Sequence, residues 1–348
     1  MPYSPRWQHL KDIERKRISP TPDHEFRLHR LERPVPWSDD IWPSSMHIEQ
    51  YPHYPPLIER LAGMLGVNQE QVVLGAGIED FIRTLILLCC EPGQGFVYTW
   101  PTCAMFDVYA QVFQTKAIKI VTRPDTPPAV SDIASFAKEA QLVLLPNPGQ
   151  PVETCYSLSE LRQIATACWN HDAVFAIDEA YFGFGAPSAL PLIKDFSNVL
   201  ILRTFSKAFG AAGIRVGYAV GDERVIKPLE AFRLSGEIAG PSLQIAMKLL
   251  DSFDKVKAGI EEIVDGRDWL RDWLIEYGLD AKGKYANHVL LDLKSPEKAS
   301  QMYECLREAG FHVKGGYPEP LANHLLITAG PRSLMQKFLS FFAECNSA

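Results

Sequence analysis

The stretch TFSKAFGAAGIRVG, residues 204–217, directly follows a buried apolar run at 199–203 that is typical of a strand. It sets Ser206 and Lys207 at the end of that strand, and Arg215 follows eight residues after the lysine. Because burial disfavours an ammonium ion, the pKa of such a lysine falls, and its free amine becomes a nucleophile that can form a Schiff base. Alternatively, Lys207 is a surface lysine beside a serine that caps a helix. For a Ser-Lys pair taken alone, this purely structural role is the commoner explanation.

A second strand end favours the first interpretation. The segment IDEAY, residues 177–181, brings an acidic residue to the carboxyl end of a strand, where α/β proteins bind ligands. There the Asp178 carboxylate can keep a heterocyclic nitrogen protonated, and the Tyr181 phenol can reach a ring oxygen. With Lys207 for an aldehyde and Arg215 for a phosphate, the set suits one cofactor, pyridoxal 5'-phosphate.

A turn reading GAG, residues 75–77, is the third signal, because it separates a short apolar strand from a helix predicted over 78–90. Backbone N–H groups at a helix N-terminus form an anion site. Glycines also end strands for purely steric reasons, so the value of this turn is its agreement with the serine and the arginine. The expected phosphate contacts are Ala76, Gly77, Thr204, Ser206 and Arg215.

Strand-like apolar runs alternate with amphipathic helical patterns from residue 57 to residue 220. Continuous apolar strands are buried on both faces, so this alternation predicts an α/β fold with a mainly parallel central sheet covered by helices. Longer helices and two further strands then predict a smaller α+β domain. The predicted division is an N-terminal arm at 1–45 that contributes to the small domain, a large cofactor-binding domain at 46–240 and a small C-terminal domain at 241–348.

Composition limits the function classes. The chain has 348 residues, a formal net charge of −7 and 47% hydrophobic residues, which is typical of a globular protein and indicates no nucleic-acid partner. No apolar run is long enough for a membrane span, and the charged N-terminus has no apolar core for a signal sequence, so we expect a cytoplasmic protein. We expect the seven cysteines to be free thiols, and the nine histidines indicate no metal site.

Taken together, these motifs resemble the fold type I pyridoxal-phosphate aminotransferases of class I and II, and within them most nearly the histidinol-phosphate aminotransferase branch. The resemblance runs over about 51–330 and also includes NPGQP at 147–151 and Pro-Thr at 101–102. It implies that Lys207 binds the cofactor covalently and moves a proton during the reaction. It further implies that Asp178 pairs with the ring nitrogen, Tyr181 with the ring oxygen, and Ser206 and Arg215 with the phosphate.

The resemblance also implies a biosynthetic homodimer, because Tyr51 matches a tyrosine that reaches the phosphate held by the neighbouring subunit. Two ring contacts depart from the family pattern. Gln150 stands where an asparagine contacts the ring oxygen, and it is one methylene longer. Cys103 stands where an aromatic residue stacks on the ring, and Trp100 or Phe106 would have to replace that stacking.

The third departure concerns the substrate. Leu326, in the run 325–328, occupies the position of a family arginine that clamps a substrate carboxylate or phosphate. Either another cation does this work or the substrate lacks an anion at that point, and both readings stay open. The candidate cations are Arg33, Lys314, Arg233 and Arg332. Glu237 suggests a cationic or hydroxylated substrate, although a solvated loop glutamate is an equally good explanation.

The leading hypothesis is therefore a pyridoxal-phosphate-dependent aminotransferase that acts on an amino acid or amine and a keto acid through a Lys207 Schiff base. The same cofactor also serves decarboxylation, elimination, replacement and cyclisation, and the missing arginine makes these outcomes the first alternative. The second alternative is a non-catalytic aminotransferase-like binding module, against which the intact lysine, aspartate and arginine argue.

Overall fold

The structure is a computed structural model, and it describes residues 5–13, 21–22 and 24–347, so part of the predicted arm lies outside the described residues. The strands are β1 Phe26–Leu28, β2 Val72–Gly75, β3 Gly95–Trp100, β4 Lys116–Val121, β5 Leu142–Pro146, β6 Val174–Asp178, β7 Val199–Thr204, β8 Gly217–Gly221, β9 Asp280–Lys282, β10 His288–Asp292, β11 Phe311–Val313 and β12 His324–Thr328. The α-helices are α1 Pro55–Leu65, α2 Ile78–Cys89, α3 Met105–Phe113, α4 Val130–Ser135, α5 Leu158–Asn170, α6 Glu223–Phe232, α7 Gly240–Asp251, α8 Phe253–Glu276, α9 Pro296–Glu308 and α10 Arg332–Ser347.

The central sheet has seven strands in the order β2-β8-β7-β6-β5-β3-β4. Strand β8 runs antiparallel to both β2 and β7, and the other four pairings are parallel. Along β6 and β7 the side chains alternate between two hydrophobic clusters, with Ile177 and Ile201 in one and Ala176 and Leu200 in the other. Burial on both faces explains the continuous apolar runs, and the predicted mainly parallel sheet is confirmed.

A three-stranded antiparallel sheet, β12-β10-β9, and a two-stranded parallel pair, β1-β11, form a second region. Its hydrophobic cluster joins Leu28 of β1 to residues of α8, α9 and α10 such as Leu270, Leu306 and Phe338. The N-terminal segment thus packs in the C-terminal part of the fold, as expected of an arm. The exact division into domains stays a prediction.

The end of α1 and the start of α5 are explained by the residues at those positions. Helix α1 ends at Gly66, which adopts a left-handed φ of 67° that glycine accepts without a steric penalty. Helix α5 starts at a capping box, in which the Ser157 hydroxyl accepts from the N–H of Glu160 and the Glu160 carboxylate accepts from the N–H of Ser157.

The expectation that all seven cysteines are free is wrong for two of them. Cys305 of α9 and Cys345 of α10 form a disulfide, with their Cα atoms 5.9 Å apart. The two residues are 40 positions apart in the chain and meet only because α9 and α10 pack side by side. Within the described residues, the other five cysteines are unpaired. No described helix has the length and apolar composition to cross a membrane.

Two helical glycines give opposite predictions for stability. Gly266 of α8 lies against the start of α10, and a Cβ there would lie 1.9 Å from the Gly330 carbonyl oxygen. Gly63 of α1 is exposed, and a Cβ there would meet nothing within 4 Å. We expect Gly266→Ala to lower the free energy of unfolding by about 2–3 kcal/mol through overpacking. We expect Gly63→Ala to raise it by about 0.5–1 kcal/mol through the better helix propensity of alanine.

The measurement is the midpoint of urea denaturation for the two variants beside the parent protein, followed by circular dichroism. The matched change from glycine to alanine makes each variant the control of the other. Midpoints that move in the same direction would contradict the close contact between α8 and the start of α10.

Candidate active site

A cavity of about 580 Å³ opens at the carboxyl ends of β5, β6 and β7. Parallel strands end at one edge of a sheet, so residues far apart in the chain converge there. The loop after β3, the first turn of α2 and the N-terminal arm complete the wall. The lining residues that carry the argument are Lys207, Asp178, Tyr181, Ser206, Arg215 and Lys314.

Lys207 follows β7 and lies inside this cavity. Its Nζ donates a hydrogen bond to the backbone oxygen of Arg30, at 3.0 Å. Burial lowers the pKa of the amine to about 8, against the opposing effect of the nearby Glu32 carboxylate. A lysine with this pKa holds a substantial fraction of free amine near neutral pH, which is the form that attacks a carbonyl carbon.

Asp178 is the last residue of β6, and Tyr181 follows it in the next turn. Burial raises the pKa of the Asp178 carboxyl to about 7, and the adjacent Glu179 carboxylate adds to the rise. A hydrogen bond of 2.9 Å from the Ala180 N–H and the nearby Lys207 amine act in the opposite direction. Burial also raises the pKa of Tyr181 far above its ordinary value, so its phenol stays protonated and can donate.

A buried ion pair joins the ends of β6 and β7 behind these side chains. The Glu179 carboxylate accepts from Arg203 Nε at 2.9 Å and from the Ala189 N–H at 2.6 Å. The Ser188 hydroxyl donates to the same carboxylate, and the Arg203 guanidinium lies 3.5 Å from the centre of the Phe182 ring. Sequence reasoning passed over this pair, although an arginine inside an apolar strand is a signal that could have found it.

The end of the cavity expected to hold a phosphate contains hydroxyls and a guanidinium. The Thr204 hydroxyl donates to Ser206 Oγ at 2.9 Å and accepts from the Ser206 N–H at 3.1 Å. Arg215 adopts a left-handed φ of 53°, and its Nη1 donates to the Ala212 oxygen at 3.2 Å. A Cβ on Gly77 would lie 2.8 Å from Arg215 Nη2, so only glycine lets the guanidinium approach this closely.

The turn at 75–77 lies beside the cavity but does not form its wall. The Ala76 N–H donates to the Asp80 carboxylate at 3.3 Å, and the Gly77 N–H donates to the Gly75 oxygen at 2.7 Å. Both N–H groups expected to meet the phosphate are therefore occupied within the turn. Ile78, the first residue of α2, is the nearest lining residue, and N–H groups of a first helical turn have no acceptor within the helix.

Gln150 and Cys103, the two ring-contact departures, both line the cavity. The Gln150 Oε1 atom is buried and has no hydrogen-bond partner in the described part of the chain. Neither proposed aromatic replacement for Cys103 is a lining residue. Phe106 packs on Tyr98 in a hydrophobic cluster, and the Trp100 ring faces Lys119. Small and aliphatic side chains therefore take the place of a stacking ring.

Three predicted site residues lie away from the cavity. The Arg33 guanidinium stacks on Trp37 at 4.0 Å and lies 3.8 Å from the Glu262 carboxylate. The Glu237 carboxylate forms an ion pair with Arg233, so it faces a cation of its own chain. Tyr51 is 97% exposed. Of the substrate residues suggested by sequence, Lys314 alone lines this cavity.

The arm supplies a wall that sequence reasoning missed. His29, Arg30, Leu31 and Glu32 all line the cavity. The Leu31 N–H donates to Thr328 Oγ1 at 3.0 Å, which fixes this segment to β12. The available signal was weak, because the strand that precedes the segment has only three residues and shows no sustained alternation.

The chain was compared with known proteins, and its sequence matches aminotransferases. The family model described as aminotransferase class I and II matches residues 44–342. A histidinol-phosphate aminotransferase of Carboxydothermus hydrogenoformans is 32% identical over 331 residues, covering 90% of this chain and 92% of that protein. An aromatic amino acid aminotransferase of Rhodococcus erythropolis is 31% identical over 261 residues, covering 74% and 72%.

A crystal structure of histidinol-phosphate aminotransferase from Sinorhizobium meliloti, in complex with pyridoxal-5'-phosphate, superposes with a TM-score of 0.85. It is 22% identical and covers 92% of this chain and 90% of its own. At that identity the likeness shows the fold, and the fold class expected from the sequence is confirmed.

The lowered pKa of Lys207 predicts a distinct pH profile for its reactivity. In cofactor-free protein, we expect reductive methylation of Lys207 by formaldehyde to speed up with rising pH, with half of the maximal rate near pH 8 and a plateau from about pH 9, because the free amine then predominates. Peptide mass spectrometry measures the rate, and the exposed Lys138 in the same samples reports on the reagent. A rate at Lys207 that still climbs steeply above about pH 9 would contradict the effect of burial.

Proposed function

This chain belongs to the aminotransferase class I and II family, whose members use pyridoxal 5'-phosphate, and from that premise we propose how its own residues perform transamination. The protein is a pyridoxal-phosphate-dependent transferase. Its substrates are an amino acid and a keto acid, as in the family. The observation that carries the assignment of roles is the buried Lys207 amine, which shares one cavity with the Asp178 carboxyl and the Arg215 guanidinium.

The cavity residues fit the cofactor in three respects. The Gln150 Oε1 atom is buried and has no hydrogen-bond partner among the residues that the structure describes, which is the expected state of a group that meets a ligand. The Asp178 carboxyl is buried and accepts one backbone hydrogen bond, so an ionised form needs a cation such as a protonated ring nitrogen. Gly77 leaves room for the Arg215 guanidinium at the end where Ser206 and Thr204 present hydroxyls.

Each role follows from the chemistry of the side chain. Lys207 is the covalent attachment point, and Asp178 holds the proton on the ring nitrogen. Tyr181 donates its phenol hydrogen to the ring oxygen, since its raised pKa keeps it protonated. Ser206, Thr204 and Arg215 bind the phosphate through charge-assisted hydrogen bonds.

When bound, pyridoxal phosphate supplies an aldehyde that accepts the substrate amine and a ring that withdraws electrons from the carbon bearing that amine. Lys207 Nζ would then be the group that accepts the proton from that carbon and later releases it. Its pKa of about 8 suits this work, because a base with a pKa near the operating pH both accepts and releases a proton. Residues 29–32 of the arm line the same cavity, and the Arg30 backbone oxygen accepts a hydrogen bond from Lys207 Nζ.

Transamination is favoured over the other outcomes by the relatives, which are named as aminotransferases. Decarboxylation, elimination, replacement and cyclisation would show as products other than a keto acid. A non-catalytic binding module would bind the cofactor without turnover. Both alternatives are therefore outcomes of the same experiment.

We expect Lys207→Ala to abolish the visible absorbance of the lysine-bound cofactor and to lower the amino-donor half-reaction by roughly 10²- to 10⁴-fold, because the base is lost. The measurement is the absorbance change of the holoenzyme with the standard L-amino acids, together with assay of the keto acid formed. Lys227→Ala, at a largely exposed lysine of α6, is the control and should leave both readings unchanged. Wild-type protein that binds the cofactor but forms no keto acid would contradict transamination.

We further propose that the chain is a homodimer and that Tyr51 of one subunit completes the phosphate site of the other. Several apolar side chains near Tyr51 are exposed, including Trp42, Met46 and Ile48. Exposed apolar residues grouped along one segment are typical of a surface that a second chain covers. Tyr51 itself has no place in the cavity of its own chain.

Hybrid dimers test this proposal. Tyr51→Phe should weaken cofactor binding by roughly 10-fold or more, through loss of a hydrogen bond to a charged group. A Lys207→Ala subunit paired with a Tyr51→Phe subunit then has one fully wild-type site if Tyr51 acts across the interface, and none if it acts within its own chain. Cofactor affinity of the purified hybrid separates the two cases, and light scattering reports whether the parent protein is dimeric.

A cytoplasmic location is part of the same proposal. Five unpaired cysteines in the described part of the chain are compatible with a reducing compartment. The Cys305–Cys345 disulfide is the one feature that points the other way, because disulfides are rare in such compartments. Fractionation of the native cells, followed by immunodetection, decides the location.

A further inference from the structure

We propose that Lys314 binds the anionic group of the substrate and so replaces the arginine that the family carries at the position of Leu326. The proposal rests on the transamination proposed above and deepens it. The substrate class that it names is an amine with an anionic group attached next to its amine-bearing carbon, either a carboxylate or a phosphate ester.

Lys314 lies directly opposite Leu326, and its side chain lines the cavity. Lys314 follows β11 and forms an antiparallel bridge with Leu326 of β12, in which each backbone N–H donates to the other residue's oxygen at 2.9 and 2.8 Å. Residues directly opposite each other in an antiparallel pair project to the same face. Leu326 is fully buried in the main core, whereas the longer Lys314 side chain reaches the cavity wall.

The positive charge of Lys314 is not balanced by a carboxylate in the part of the chain that the structure describes. Within the described residues, no carboxylate forms an ion pair with its ammonium. Its described contact is the Tyr317 ring, whose centre lies 5.4 Å from Nζ. Burial lowers the pKa of this amine, as expected for a cation held away from water without a counter-ion. Lys314 is half-buried, so its ammonium has lost part of its hydration without gaining a counter-ion, and an anionic ligand would compensate that loss.

The other three candidate cations from the sequence already contact carboxylates or aromatic rings of this chain. Arg33 faces Glu262 and Trp37, and Arg233 forms ion pairs with Asp80 and Glu237. The remaining candidate, Arg332, stacks on Trp269 and lies 3.9 Å from Asp265 outside the cavity.

Within the cavity, Arg215 lies at the proposed phosphate end and Lys207 is the attachment point. Arg30 donates to the His29 ring at 3.0 Å. Lys314 is therefore the lining cation whose ammonium has neither another proposed role nor a hydrogen-bond or ion-pair partner among the described residues.

Matched substrates test the proposal. L-phenylalanine and 2-phenylethylamine differ by the carboxylate, and L-histidinol phosphate and L-histidinol differ by the phosphate. We expect Lys314→Met to lower kcat/KM for the anionic member of the preferred pair by roughly 10- to 100-fold, mainly through KM, since one charge-assisted hydrogen bond is lost. The uncharged members should change by less than about 3-fold, and Lys314→Arg should restore part of the loss. The pair that responds identifies carboxylate or phosphate as the anion.

Binding supplies a second readout that does not depend on turnover. The holoenzyme is titrated by calorimetry with two probes, 3-phenylpropionate and phenyl phosphate. We expect at least one of these probes to bind more weakly to Lys314→Met than to the parent protein. Lys227→Met is the charge-matched control and should bind like the parent. The absorbance of the lysine-bound cofactor should be the same in every variant, which shows that the cavity is intact.

Three results would overturn the role of Lys314. They are equal losses for charged and uncharged members of a pair, no loss for either, and no binding of the two probes by the parent protein. Failure of the transamination proposal looks different, because the parent protein then forms no keto acid while the binding comparison still reports on Lys314. The two failures are therefore distinguishable.

Discussion

The buried ion pair between Glu179 and Arg203 is the interaction on which the cavity depends. It joins the carboxyl ends of two neighbouring parallel strands, and the hydroxyl and N–H groups of Ser188 and Ala189 satisfy the remaining acceptor positions of the carboxylate. A buried pair of this kind contributes little net stability, but removal of one partner leaves an uncompensated charge and costs about 3–5 kcal/mol. Its value here is geometric, because it fixes the strand ends that carry the aspartate and the lysine.

Much of this arrangement could be predicted from the sequence, because it follows from strand order. Asp178 comes directly after a continuous apolar run, Lys207 comes three residues after the end of β7, and adjacent parallel strands end at the same edge. The sequence could also place Ser206 and Arg215 near Lys207, since all three lie within one short connection. The end of α1 is local in the same way, because Gly66 supplies the left-handed backbone that often follows a helix.

The failures have a common physical cause, which is that they depend on contacts between distant parts of the chain. Nothing near Cys305 or Cys345 in the sequence shows that their helices pack together. The choice among the candidate cations was open for the same reason, because it rests on which arginines find a carboxylate in the folded chain. Such partners are visible only in three dimensions.

Residues 29–32 form one wall of the cavity, and this bears on how the choice of substrate could change between related enzymes. Residues 29–32 touch the cavity, and the family match begins only at residue 44. The chemistry of the reaction and the shape of the opposite wall are thus encoded in separate stretches of the chain. Substitutions in this short leading segment would therefore reshape one wall of the cavity without changing Asp178, Lys207 or Lys314. Expression of the matched region alone would keep those three residues and lose the wall that residues 29–32 supply.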